Sequence, residues 1–125
     1  ALIAATLPCF AATCDFYGAR VASFRPGGGT PSLELVEAIL GRLWCFCGGA
    51  DPLMPPEEVA AIEAALTAAN GGRPAREPGG RHRLIVAPGA GHGYLCEARA
   101  DFDPEGARQG WSAMLDLFAE MQVNS

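Results

Sequence analysis

The chain has 125 residues, half of them hydrophobic, and a formal charge of −5 from 14 acidic against nine basic side chains. That length suits one domain around one core, and the composition excludes a disordered tail or a fibrous repeat. The basic residues are scattered, which excludes a phosphate-tracking nucleic-acid surface and disfavours an anionic membrane surface, and no apolar run is long enough to span a bilayer.

In chain order, Ala1 to Ala5 read as the end of a helix of small residues, with Pro8 as the stop. The opening segment is apolar but has no basic n-region, so it is not expected to be a signal peptide. It lacks an initiator Met, and the chain is expected to begin partway through a longer polypeptide. "AATCDFYG" reads as a strand closed by Gly18, with Ala12 to Phe16 as its body. "RPGGGTPS" is a loop by composition, and Ser32 to Leu40 suit a short helix. Leu43 to Phe46 or Cys47 form a second, buried strand that runs into the turn chemistry of "GGADPLMPP".

The next helix is the clearest. Pro55 and Pro56 suit its entry, Glu57 and Glu58 sit in a first turn where the dipole favours anions, and "NGG" ends it. Val59, Ile62, Leu66 and Ala69 form its apolar stripe. After a polar linker, "HRLIVA" is a third strand, followed by the loop "PGAGHGY". Asp103 and Pro104 are an N-cap and first helical residue, and the last helix sets Ala107, Trp111, Leu115 and Phe118 on one face, expected to pack in the core.

Strands alternating with helices imply parallel βαβ units. The fold class is therefore α/β, a partial doubly wound parallel sheet of about three strands with flanking helices. Five cysteines, Cys9, Cys14, Cys45, Cys47 and Cys96, are an odd number lying mostly in apolar segments. They fit reduced thiols in a cytoplasmic protein, with Cys9 and Cys14 expected in the core, and their spacing is not that of a metal site.

Functional groups in open parallel sheets collect in loops at the carboxyl ends of strands. Two such loops carry Asp51, after "LWCFCGG", and His92, after "HRLIVAPGAG". If their strands are neighbours, a carboxylate and an imidazole emerge side by side, the pair that activates a nucleophile in acyl transfer. "CFCGG" also places Gly49 two residues after Cys47, as an elbow around a nucleophile would. Cys45 stands where that elbow needs Gly, however, and "ADPLMPP" cannot open the helix that follows one. Cys47 is read as a strand-end thiol. Glu97 and Arg99 are read as surface charges rather than as cleft residues.

"CGGADPLMPPEEVAAIEAAL" together with "APGAGHGYLCEARADFDPEGARQGW" resembles the dienelactone hydrolase family of α/β-hydrolases, and "CDFYG" is similar to that family's strand ending in aromatic residues and Gly. The resemblance covers nearly the whole chain, although family members are roughly twice as long. It implies that residues 1–125 are the carboxyl-terminal part of an α/β-hydrolase domain, with Asp51 as the triad acid and His92 as the base, in the family's chain order. Phe16 falls where some members place a substrate-lining Tyr, and Cys96 near an Arg that holds a substrate carboxylate in the founding enzymes. The family's Gly-x-Cys-x-Gly elbow would lie roughly half a dozen residues before Ala1, outside the chain.

The implied activity is carboxylic ester or lactone hydrolysis on a small molecule, with no cofactor and no metal, and with the chain alone inactive. The alternative is a non-catalytic remnant acting as an interaction or structural module. A strand edge left unpaired by a missing neighbour implies a homo-oligomer, or pairing with an amino-terminal segment.

Overall fold

The computed structural model describes residues 1–123. Its elements are α1 (Leu2–Ala5), β1 (Ala12–Phe16), a 3-10 helix (Ser32–Ala38), β2 (Arg42–Gly48), α2 (Pro56–Ala69), β3 (Arg83–Ala87) and α3 (Pro104–Val123). The three strands form one parallel sheet in the order β1-β2-β3. β2 is paired on both sides, which is why its sequence is a continuous apolar run rather than an alternating one.

Side chains of β2 alternate between two layers. Leu43, Cys45 and Cys47 pack with α1, the 3-10 helix and α2, whereas Trp44 and Phe46 pack with Leu117 of α3. The sheet is thus covered on both faces. In α2, Ile62 and Leu66 are buried, with Val59 and Ala69 packed at the margin of the same cluster, so the predicted stripe faces the sheet. Glu58 is buried as well, and its Oε1 accepts the Ala22 N–H at 3.0 Å.

The end of α2 is tied to the start of β3. Asn70 Oδ1 accepts the His82 N–H at 2.8 Å, and Asn70 Nδ2 donates to the His82 carbonyl at 2.8 Å. The His82 ring is wholly buried and reaches β2, where Nδ1 lies 3.0 Å from the Leu43 amide nitrogen. A backbone N–H can only donate, so Nδ1 is the bare nitrogen and the hydrogen sits on Nε2, which is buried without a partner. Burial, and secondarily the neighbouring Arg81 cation, bring the His82 pKa down to about 4.

Asp103 caps α3 as predicted, its Oδ1 accepting the N–H groups of Glu105 and Gly106 at 3.2 and 3.3 Å. The face that α3 buries differs from the expected stripe. Gly106, Ala107, Gly110 and Leu117 are buried, whereas Trp111, Leu115 and Phe118 are 53, 59 and 44% exposed. The small residues explain this, because they let the helix lie close on its neighbours. A Cβ at Gly106 would fall 3.0 Å from the Tyr94 ring and 3.1 Å from the Ala87 methyl group. Trp111, Leu115 and Phe118 are left on the outer side.

Other departures are local. β1 ends at Phe16, and the turn is made by Tyr17 at a φ of +61° rather than by Gly18. The segment from Ser32 is a 3-10 helix, and it stops at Ala38. Cys9, expected in the core, is exposed, and Cys14 is half-buried. Among the described residues no helix is long and apolar enough to cross a membrane.

Candidate active site

Two loops leave the carboxyl ends of β2 and β3, and the register sets Gly48 level with Ala87. Beyond that pair the loops stay joined, with the Gly49 N–H donating to the Ala87 carbonyl at 2.8 Å and the Ala50 N–H to the Ala90 carbonyl at 2.9 Å. Glycine at position 48 is what permits this approach. A Cβ there would fall 2.2 Å from the Ala90 oxygen and 2.6 Å from the Gly91 oxygen, both of them backbone atoms with nowhere to go. Asp51 and His92 follow on these loops, one from each strand.

Asp51 sits in a tight turn, its carbonyl accepting the Met54 N–H at 3.1 Å and its Oδ1 the Leu53 N–H at 2.8 Å. That second bond fixes the carboxylate and leaves Oδ2 pointing across the gap, 2.7 Å from His92 Nδ1. The Asp51 side chain is 0% exposed and that of His92 28%. A carboxylate accepts at Nδ1, so Nδ1 carries the hydrogen and Nε2 keeps a lone pair. A buried acid that orients a partly open imidazole is the arrangement in which Nε2 takes a proton and the resulting imidazolium is stabilised.

Tyr17 completes the surroundings of His92. Its ring lies 5.5 Å from the imidazole at 56° and 5.4 Å from Tyr94 at 76°. Its phenol oxygen accepts the Leu95 N–H at 3.0 Å. Burial raises the Tyr17 pKa, so the phenol stays neutral. Nothing in the local sequence pattern marks Tyr17 beyond its place between Phe16 and Gly18.

Phe16 stacks on Phe46 at 4.3 Å in the layer beneath α3, so of the two neighbouring aromatics it is Tyr17 that abuts His92. Cys96 is exposed, four residues beyond His92, and its N–H donates to the Gly93 carbonyl at 3.0 Å. Glu97 and Arg99 are exposed, as expected from their charge. Arg99 lies over Gly93, where a Cβ would meet its Nε at 2.7 Å, and it approaches Asp101 at 3.6 Å. Cys47 is buried in the α2 layer with its pKa pushed up to about 11, chiefly by burial, which leaves it a neutral thiol. Among the described residues no side chain hydrogen-bonds His92 Nε2. A cavity of about 540 Å³, lined in part by Ala11, Arg42 and Arg81, lies at the opposite end of the sheet and is separate from this pair.

Comparison with known proteins agrees with the architecture. A Synechocystis protein provisionally named carboxymethylenebutenolidase is 33% identical over 116 residues, which are 93% of this chain and 44% of that protein. A crystal structure of a Klebsiella pneumoniae protein, provisionally named a dienelactone hydrolase, superposes with a TM-score of 0.79 at 24% identity, covering 94% of this chain and 46% of that one. Esterase 2 of Thermogutta terrifontis, solved phosphorylated by paraoxon, gives a TM-score of 0.63 at 22% identity over 89% of this chain and 40% of its own. At these identities the two solved structures show a shared fold. The chain spans less than half the length of each of these proteins. The family model for dienelactone hydrolases matches residues 1–122, and the chain belongs to the dienelactone hydrolase family.

Proposed function

We propose that residues 1–125 are the carboxyl-terminal part of a carboxylic ester or lactone hydrolase, contributing Asp51 as the acid and His92 as the base of a nucleophile–His–Asp triad. The observation that carries this reading is the 2.7 Å contact between His92 Nδ1 and Asp51 Oδ2, with the carboxylate wholly buried. Membership of the family supports the reaction class. In the proposed cycle a Cys or Ser outside residues 1–125 attacks the acyl carbon and passes its proton to His92 Nε2. His92 returns that proton to the leaving alkoxide, and the acyl-enzyme is then hydrolysed by a water deprotonated by the same nitrogen. Among the described residues no hydroxyl or thiol is bonded to His92 Nε2, and the chain by itself is expected to be inactive.

The test is hydrolysis of p-nitrophenyl and lactone esters by residues 1–125 alone and by the product of the reading frame extended upstream of Ala1. The chain alone should not exceed an imidazole background. The extended protein should turn over saturably and lose on the order of 10³-fold or more on His92→Ala. An extended protein whose turnover survives that change would refute the proposal.

A second reading is a non-catalytic interaction module. Saturable, His92-dependent turnover would exclude it.

A further inference from the structure

Tyr17 is in a conformation that its side chain does not favour. It follows the last residue of β1, its N–H still donating to the Phe46 carbonyl at 2.9 Å, and then turns at a φ of +61°. An aromatic residue is strained in the left-handed region, and such strain persists where the surroundings over-determine it. Here the strained turn throws the ring off the end of the sheet towards the loop after β3, a partner 75 residues away in the chain.

The ring then makes two kinds of contact with the segment that carries His92. The phenol oxygen accepts the Leu95 N–H at 3.0 Å, which pins the turn closed by the bond from the Cys96 N–H to the Gly93 carbonyl. The ring itself flanks the imidazole at 5.5 Å and is backed by Tyr94 and Phe16 at 5.4 and 5.9 Å. Asp51 holds one ring nitrogen, and a ring held by one hydrogen bond remains free to rock about it. A flanking aromatic wall and a fixed backbone remove that freedom, and small losses of aim are costly for a general base.

From this geometry we infer that Tyr17 is the positioning residue of the base, its ring and its bond to the Leu95 N–H holding the His92 imidazole in line with Asp51. The inference rests on the reading of His92 as the base. The strain at Tyr17 is retained because the turn it makes is the one that delivers the ring.

The chain has two histidines, so His82, buried at the other end of β3, serves as an internal control. The experiment is ¹⁵N-histidine NMR on the whole chain and its Tyr17→Phe, Tyr17→Ala and Asp51→Asn variants, reading the His92 tautomer and the exchange of its Nδ1 proton with water. The parent should show one tautomer with a protected Nδ1 proton. Tyr17→Phe, which keeps the ring and removes the Leu95 bond, should speed that exchange on the order of tenfold. Tyr17→Ala should lose the protected signal, with His82 unchanged in both. Unchanged His92 signals in Tyr17→Phe and Tyr17→Ala would overturn the inference, and so would His82 moving in step with His92, which would make Tyr17 a support of the fold alone. Tyr17→Phe decides the matter even if Tyr17→Ala fails to fold. Asp51→Asn leaving His92 unaltered would instead overturn the reading of the Asp51–His92 pair itself.

Discussion

Acidification should destabilise the fold through His82, by an amount that the structure allows one to work out. The folded protein holds this imidazole at a pKa of about 4, against 6.5 for the free side chain. Between those values the unfolded chain binds more protons than the folded one, so stability rises with pH. The contribution is fully present above pH 6.5 and is lost as pH falls towards 4. At about 1.4 kcal/mol per pKa unit the loss amounts to roughly 3 kcal/mol, a large share of a small domain's stability. The local cause is visible, since a proton on Nδ1 would replace the acceptor of the Leu43 N–H with a second donor at the start of the central strand.

Urea denaturation of the parent and of His82→Gln at pH 7, 5.5 and 4 isolates this group. Glutamine offers Leu43 a carbonyl oxygen and does not titrate. The stability advantage of the parent over the variant should shrink by roughly 2–3 kcal/mol between pH 7 and pH 4. Asp15 acts in the opposite sense. Burial raises its carboxyl pKa, so its contribution is lost as pH rises, equally in both proteins. An advantage constant to within about 0.5 kcal/mol across this range would refute the assignment of His82 as a buried neutral acceptor.

Gly48→Ala should cost roughly 1–3 kcal/mol in urea denaturation, because the added methyl meets backbone oxygens, and it should also disrupt the His92 Nδ1 signal. A variant as stable as the parent would mean that the two loops are not so closely joined. In native protein a thiol reagent should modify the exposed Cys9 and Cys96 promptly and the buried Cys45 and Cys47 only after unfolding, with all five titrating as reduced thiols in denaturant. Fewer than five would contradict the expectation of reduced cysteines. We propose that the free edge of β1, which pairs only with β2 among the described residues, associates with a second copy or with an amino-terminal segment. Ultracentrifugation at micromolar concentration should show an assembly that Thr13→Lys weakens, and a compact monomer unchanged by that substitution would refute the proposal.

Element types and their order are legible along the chain because they depend on local contrasts. The apolar run of β2, the Pro and acidic entry of α2 with its Ile62 and Leu66 stripe, and the Asp103–Pro104 cap of α3 each act within a few residues. Asp51 and His92 are candidates by residue type and flanking pattern, and the family resemblance is carried by those same flanks. Their contact was decided elsewhere. It needs β2 and β3 to be neighbours in one register and Gly48 to let two backbones touch, across 41 residues of sequence. Tyr17 could not be found by pattern, since its role depends on a left-handed turn and on a loop far along the chain.

The buried face of α3 departs from its apolar stripe for a related reason. Size and hydrophobicity point to Trp111, Leu115 and Phe118, but close packing on the Ala87–Leu95 segment selects Gly106, Ala107 and Gly110. Periodicity and capping belong to a segment by itself. Burial and aim depend on what that segment is laid against, and only the tertiary structure decides that.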